Sequence, residues 1–141
     1  YVRNRKICGM LIENVLDGVL ISHSIVGIGL NVNQRDFPPQ LLNPTSMSLV
    51  TGDEYLVERE MEKLYSCLAA SFLRMEDASS MDEAYGNNLY RKGEFHDFTR
   101  CSDGYVYEGR IIGTDESGLL IVENRKGELN KFAFKEISYI I

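Results

Sequence analysis

The sequence predicts an α+β chain, a mixed sheet with helices followed by a small closed β-barrel. Three observations predict it. Two long runs with strand periodicity, Lys6 to Glu13 and Leu20 to Val32, flank an Asp17-Gly18 turn; an amphipathic pattern runs from Leu56 to Met75; and from Glu94 to Ile141 short alternating runs are separated by turn residues. The change of period near Lys92-Gly93 sets the expected boundary, with one domain over 1–92 and a second over 93–141.

A chain of 141 residues accommodates one full-sized domain, or part of one with a small companion. Its formal charge of −6, from 15 basic and 21 acidic residues, argues against non-specific binding to nucleic acid or to an anionic membrane. Cys8, Cys67 and Cys101 are odd in number and lack C-x-x-C spacing, so neither a disulfide framework nor a zinc knuckle is expected, and the better expectation is the cytoplasm. No apolar run approaches the ~18 residues of a membrane span. The chain opens without methionine inside what reads as strand, tight turn and strand (Tyr1-Val2, then Arg3-Asn4-Arg5), and is expected to be the later part of something longer.

In the first strand, Lys6 and Gly9 are the exceptions to an otherwise apolar run. Burying an ammonium without a partner costs several kcal/mol, so Lys6 either reaches solvent or meets an anion. Gly9 weakens a strand unless something must approach its backbone closely. Strict alternation would put Lys6, Cys8, Met10 and Ile12 on one face and Ile7, Gly9, Leu11 and Glu13 on the other.

Asp17-Gly18 reads as a type I′ hairpin turn. The second strand then has an apolar face, Ile28, Leu30 and Val32, and a face stripped of bulk, Gly27 and Gly29, ending in Asn31 and Asn33. Two glycines two residues apart leave a groove, and Asn31 offers a donor and an acceptor at its end. The groove suits a planar polar ligand, or equally a large neighbouring side chain.

The connection from Gln34 to Asp53 holds Pro38, Pro39 and Pro44, with a helical turn expected at Phe37 to Leu42 and an alternating segment, Thr45 to Leu49, tucked against the core. The helix through Leu56, Met61, Leu64, Leu68, Phe72 and Met75 is expected to bury one face. Asp77 to Ser80 should end it, and Ser80 with Glu83 forms a capping box for a second helix, about Met81 to Tyr90. Arg91 and Lys92 suit that helix's C-terminal dipole. Five strands follow, Glu94 to Thr99, Tyr105 to Thr114, Gly118 to Asn124, Leu129 to Phe134 and Ile137 to Ile141, and are expected to close as a barrel without free edges.

Taken together, Arg5-Lys6-Ile7-Cys8-Gly9-Met10-Leu11-Ile12-Glu13, followed after a hairpin by Val26-Gly27-Ile28-Gly29-Leu30-Asn31-Val32-Asn33, resembles the biotin-protein ligases. The resemblance covers essentially the whole chain. It implies a class II aminoacyl-tRNA-synthetase-like mixed sheet, represented by its later part, followed by an SH3-like barrel. The glycine- and arginine-rich loop and the Trp-Pro-Asn-Asp segment that precede this region in the family are not in the sequence, so the 141 residues alone are expected to be inactive.

The resemblance also implies a two-step reaction. Biotin's carboxylate attacks the α-phosphorus of ATP to give biotinyl-5′-AMP and pyrophosphate, and a lysine of the biotin carboxyl carrier protein of acetyl-CoA carboxylase then takes the biotinyl group and expels AMP. Lys6 matches the catalytic lysine and would touch both biotin and nucleotide. Gly9, Met10 and Leu11 would line the biotin side, and Gly27, Gly29 and Asn31 the nucleotide side. Mg2+ is implied with ATP, yet no carboxylate cluster offers a metal site.

The terminal region, nine acids against six bases from Glu94 to Ile141, is a poor nucleic-acid reader. Family members also form homodimers through a sheet edge, which no residue here marks. Two alternatives remain open at this point: a lipoate or octanoate ligase or transferase on the same scaffold, and a non-catalytic binding module built on the small barrel.

Overall fold

The computed structural model describes residues 1–75 and 78–141, with the side chains of all of these except 78–80. The chain forms two compact units, Tyr1–Leu68 and Ala69–Ile141. In the first, β1 (Cys8–Asp17) and β2 (Leu20–Leu30) make an antiparallel hairpin, followed by α1 (Met47–Thr51) and the start of α2 (Val57–Phe72). The second holds α3 (Ala78–Asn88) and strands β3 (Phe95–Arg100), β4 (Val106–Thr114), β5 (Leu120–Glu123), β6 (Leu129–Phe132) and β7 (Ile137–Tyr139).

The hairpin turn lies one residue later than expected. Asp17 pairs with Leu20, which leaves Gly18 and Val19 as the central residues. Gly18 has φ +63° while Val19 stays out of the left-handed region, the pattern of a type II′ turn rather than I′. A β-branched residue is the last to accept positive φ, so the glycine takes the first position. A bulge at Val15/Leu16 shifts the register, and pairing beyond it runs Glu13↔Ile25, Leu11↔Gly27, Gly9↔Gly29 and Cys8↔Leu30.

The two faces of β2 separate as the alternation predicts. Ile28, Leu30 and Val32 face Val57, Met61, Leu64 and Leu68 of α2 across a groove of about 360 Å³. Gly29 and Asn31 face the other way. The helix is where its periodicity placed it, but no residue of α2 is buried and Phe72 is two-thirds exposed. The buried side chains of this unit, among the described residues, are polar: Thr45, Ser46 and Ser48.

Thr45 and Ser46 lead into α1 and Ser48 lies within it, a helix that the alternating reading of Thr45 to Leu49 missed. Ser46 caps it, its Oγ accepting from the Leu49 N–H at 3.2 Å, and Gly52 ends it at φ +89°. The expected helical turn at Phe37 to Leu42 is instead a single turn in which Leu41 N–H donates to Pro38 C=O at 3.0 Å. Ser80 lies inside α3 rather than capping it, and the break expected at Asp77 falls outside the described residues.

The second unit's sheet is antiparallel with strand order β6-β5-β4-β3-β7. The barrel expected from the sequence does not form: β6 and β7 are the two edges of an open sheet. The last strand is three residues long and spends its pairing on β3 (Phe98↔Tyr139, Thr99↔Ser138, Arg100↔Ile137). The turn that delivers it, with Lys135 at φ +67°, leaves a gap of about 260 Å³ between Phe132 and Ile137 that Tyr85 of α3 and Leu89 line. Phe98, Ile111 and Val122, one from each central strand, form the core, and Leu89 packs on it. Gly109 is buried, and a Cβ there would collide with Val122 Cγ1.

Candidate active site

The site is assembled where the chain changes partners. Val2 and Arg5 close a tight turn by two mutual backbone bonds (2.9 and 3.1 Å), so the hairpin expected to run from Tyr1-Val2 into Lys6 is confined to these four residues. Lys6 then pairs in parallel with Pro44: its N–H donates to Asn43 C=O at 2.8 Å and its C=O accepts from Thr45 N–H at 3.0 Å. Two residues on, Cys8 enters the antiparallel ladder with β2. Ile7 lies between the ladders, its C=O accepting from Asn31 N–H at 2.9 Å.

That switch restarts the alternation. Lys6 and Gly9, expected on opposite faces, stand on the same side: Lys6 Cε and Nζ lie 3.8 and 3.9 Å from the point a Gly9 Cβ would occupy. The lysine therefore curls over the glycine, which leaves the floor beneath it open. Gly29, paired with Gly9, continues that floor.

Lys6, Gly9, Gly29 and Asn31 line one pocket of about 260 Å³ with Cys8, Leu41, Leu42, Asn43 and Pro44. Gly27, Met10 and Leu11 do not line it. Gly27 and Leu11 sit opposite each other one step further along the ladder, and Met10 is 70% exposed. The wall from Leu41 to Pro44 was not legible as part of a site. Its signal is two exposed leucines, Leu42 at 96%, inside a proline-punctuated connection.

Asn31 is committed on one side. Its Nδ2 donates to Thr45 C=O at 2.9 Å and its backbone C=O accepts from Met47 N–H at 3.0 Å. Its Oδ1 accepts no hydrogen bond within the described residues and remains an acceptor for a ligand N–H or O–H. Lys6 makes no ion pair within the described residues, and no carboxylate lines the pocket.

In the second unit, hydrogen bonds from Arg100, Arg125 and Lys131 hold the Asp103, Glu108 and Asp115 carboxyls below the usual carboxylate range. No group of three or more His, Cys, Asp or Glu side chains placed to hold a metal occurs among the described residues. No described helix is long and apolar enough to cross a membrane. Cys8 is half-buried, Cys67 and Cys101 are exposed, and no disulfide joins any of the three.

The pocket thus sets an ammonium, without a counter-ion among the described residues, over a glycine floor beside an amide acceptor, an arrangement with the chemistry to receive an anionic ligand. Comparison with known proteins assigns the scaffold. No family model matches the chain. It is 25% identical over 138 residues to the bifunctional ligase/repressor BirA of Bacillus subtilis and to that of Bacillus spizizenii, covering 89% of this chain. In fold it is similar to the apo biotin protein ligase of Aquifex aeolicus, with TM-score 0.72 at 20% identity over 98% of this chain and 60% of that one. The complex of the same ligase with biotin and ATP gives TM-score 0.71 at 20% identity, over 98% and 57%. The chain spans about 40% of the length of the curated relatives it matches.

Proposed function

We propose that this chain supplies the lysine-bearing site of an ATP-dependent biotin-protein ligase, the enzyme that biotinylates the carboxyl carrier protein of acetyl-CoA carboxylase in the cytoplasm. Residues 1–92 would belong to the catalytic part and 93–141 to the C-terminal domain. The observation that carries this reading is Lys6: its ammonium stands over Gly9 in the pocket that Asn31 also lines, with no carboxylate to neutralise it.

In the first half-reaction a biotin carboxylate oxygen attacks the α-phosphorus of ATP, the bond to the β-phosphate oxygen breaks, and pyrophosphate leaves. Negative charge builds on the nonbridging α-phosphoryl oxygens, where a fixed ammonium stabilises it. In the second, an acceptor lysine amine attacks the acyl carbon, the acyl-phosphate C–O bond breaks, the amine gives up its proton and AMP departs. Lys6 then faces charge on the carbonyl oxygen and on the leaving phosphate. Removing one such preorganised donor costs about 3–4 kcal/mol.

Gly9 and Gly29 leave room for the acyl chain and the nucleotide to cross the strands. Asn31 Oδ1 accepts from the nucleotide. Gly27, Met10 and Leu11 lie one step outside the pocket and would meet a ligand that extends along the hairpin. Mg2+ finds no carboxylate on the pocket wall, and no step is assigned to it.

The test is pyrophosphate release by the full-length gene product with biotin, lipoate or octanoate as the acid, followed by transfer to purified carrier protein. Release with biotin and not with the other two supports the reading, and release with lipoate or octanoate alone overturns it.

A further inference from the structure

The pocket wall from Leu41 to Pro44 belongs to an excursion between β2 and α2, and one side chain closes that excursion at its neck. Asn33 Nδ2 donates to Tyr55 C=O at 2.7 Å, and its Oδ1 accepts from Tyr55 N–H at 2.9 Å. The amide therefore pairs with a backbone unit 22 residues away as a neighbouring strand would. The same Oδ1 accepts from Ser48 Oγ, also at 2.9 Å, which ties the buried Ser48 of α1 into the neck.

Asn33 is half-buried, and it does not line the pocket. Its bonds hold the base of a segment whose far end presents Leu41 and Leu42, both mostly exposed, on the wall opposite Lys6. Freeing the neck would return conformational entropy to the whole excursion.

We infer that Asn33 is a positioning residue that sets how long the acyl-adenylate stays bound, by pinning the segment that forms the outer wall of the Lys6 pocket. This rests on the ligase reading of the same pocket. It deepens that reading by separating retention of the intermediate from the chemistry that makes it. Loss of the clamp loosens Leu41 and Leu42 around a bound acyl-adenylate, while Asn43 and Thr45 stay tied to the Lys6 backbone and keep the lysine in place.

The experiment compares wild type with Asn33→Ala and Ser48→Ala in the full-length gene product, with two readouts. The first is the rate at which purified biotinyl-5′-AMP leaves the protein. Asn33→Ala, which removes three hydrogen bonds, should release it on the order of tenfold faster, with KM for the substrates raised and the saturated single-turnover rate of adenylation little changed. Ser48→Ala should move release in the same direction by about threefold. The second readout is hydrogen exchange at the amide of Leu41, which Asn33→Ala should speed while the amide of Thr45, bonded to Lys6 C=O, and the core amides of β3 to β5 stay protected. Unchanged release and exchange in Asn33→Ala, with only a lowered Tm, overturns the inference. Should Asn33→Ala fail to fold, wild-type release and exchange in Ser48→Ala overturns it. A wild-type protein that neither forms nor binds biotinyl-5′-AMP overturns the ligase reading instead, and exchange then decides alone whether Asn33 pins the wall.

Discussion

Replacing Gly109 by alanine puts a methyl group where β4 meets the core of the second unit. The added Cβ would lie 2.4 Å from Val122 Cγ1, 2.9 Å from Tyr107 Cε1 and 3.3 Å from Glu123 C=O. Val122 has no accessible surface, and it sits in a core cluster with Phe98 and Ile111, so it cannot turn aside without displacing them. Overpacking of this kind costs ~1–3 kcal/mol, and alanine recovers ~0.4–1 kcal/mol through the unfolded chain. The difference spans about 0–2.6 kcal/mol, and so close an approach to a fully buried side chain puts it in the upper part, about 1–2.6 kcal/mol, which for a unit of this size lowers Tm by about 4–20 °C. Gly113, on the same strand, is the control: its backbone is not left-handed and nothing lies within 4 Å of its Cβ position. Gly113→Ala should leave stability unchanged or raise it by up to ~1 kcal/mol. Thermal unfolding of the whole chain, followed at the amides of Phe98, Ile111 and Val122, measures both. Equal Tm values for Gly109→Ala and wild type would refute the packing argument.

Gly9→Ala should be nearly neutral for stability, since its Cβ would make only ordinary contact with the end of Lys6, while raising KM for biotin and ATP about tenfold by crowding the pocket floor. A lowered Tm with unchanged KM would contradict that. Acid should loosen the second unit: Asp103, Glu108 and Asp115 bind their protons more weakly when folded, through hydrogen bonds from Arg100, Arg125 and Lys131. Their contribution is complete above the ordinary carboxylate pKa near 4 and fades as pH falls through the lower folded values. A Tm that stays flat or rises between pH ~5 and pH ~2 would count against these three pairs.

What could be read from the residues was what local periodicity encodes. Ile28, Leu30 and Val32 against Gly29 and Asn31 separated the faces of β2 correctly, because the strand keeps one partner over that stretch. The same rule misplaced Lys6 relative to Gly9, because the chain exchanges Pro44 for β2 at Ile7, and a partner 38 positions away leaves no periodic trace. The closed barrel failed on a length: β7 has three residues, enough to pair with β3 and no more. Ser46 and Gly52 carried the capping signals of α1, yet a five-residue helix is too short for an apolar period to outweigh alternation. Asn33 shared the row of Gly27, Gly29 and Asn31, and nothing local told that its amide would meet Tyr55.

Single-turnover formation of biotinyl-5′-AMP by Lys6→Ala in the full-length gene product, at saturating biotin and ATP, addresses the lysine directly. A loss of roughly 3–4 kcal/mol in transition-state stabilisation is a fall of about 10²- to 10³-fold in that rate, with a smaller change in ligand affinity. A variant that forms the adenylate and transfers it at the wild-type rate would remove Lys6 from the chemistry.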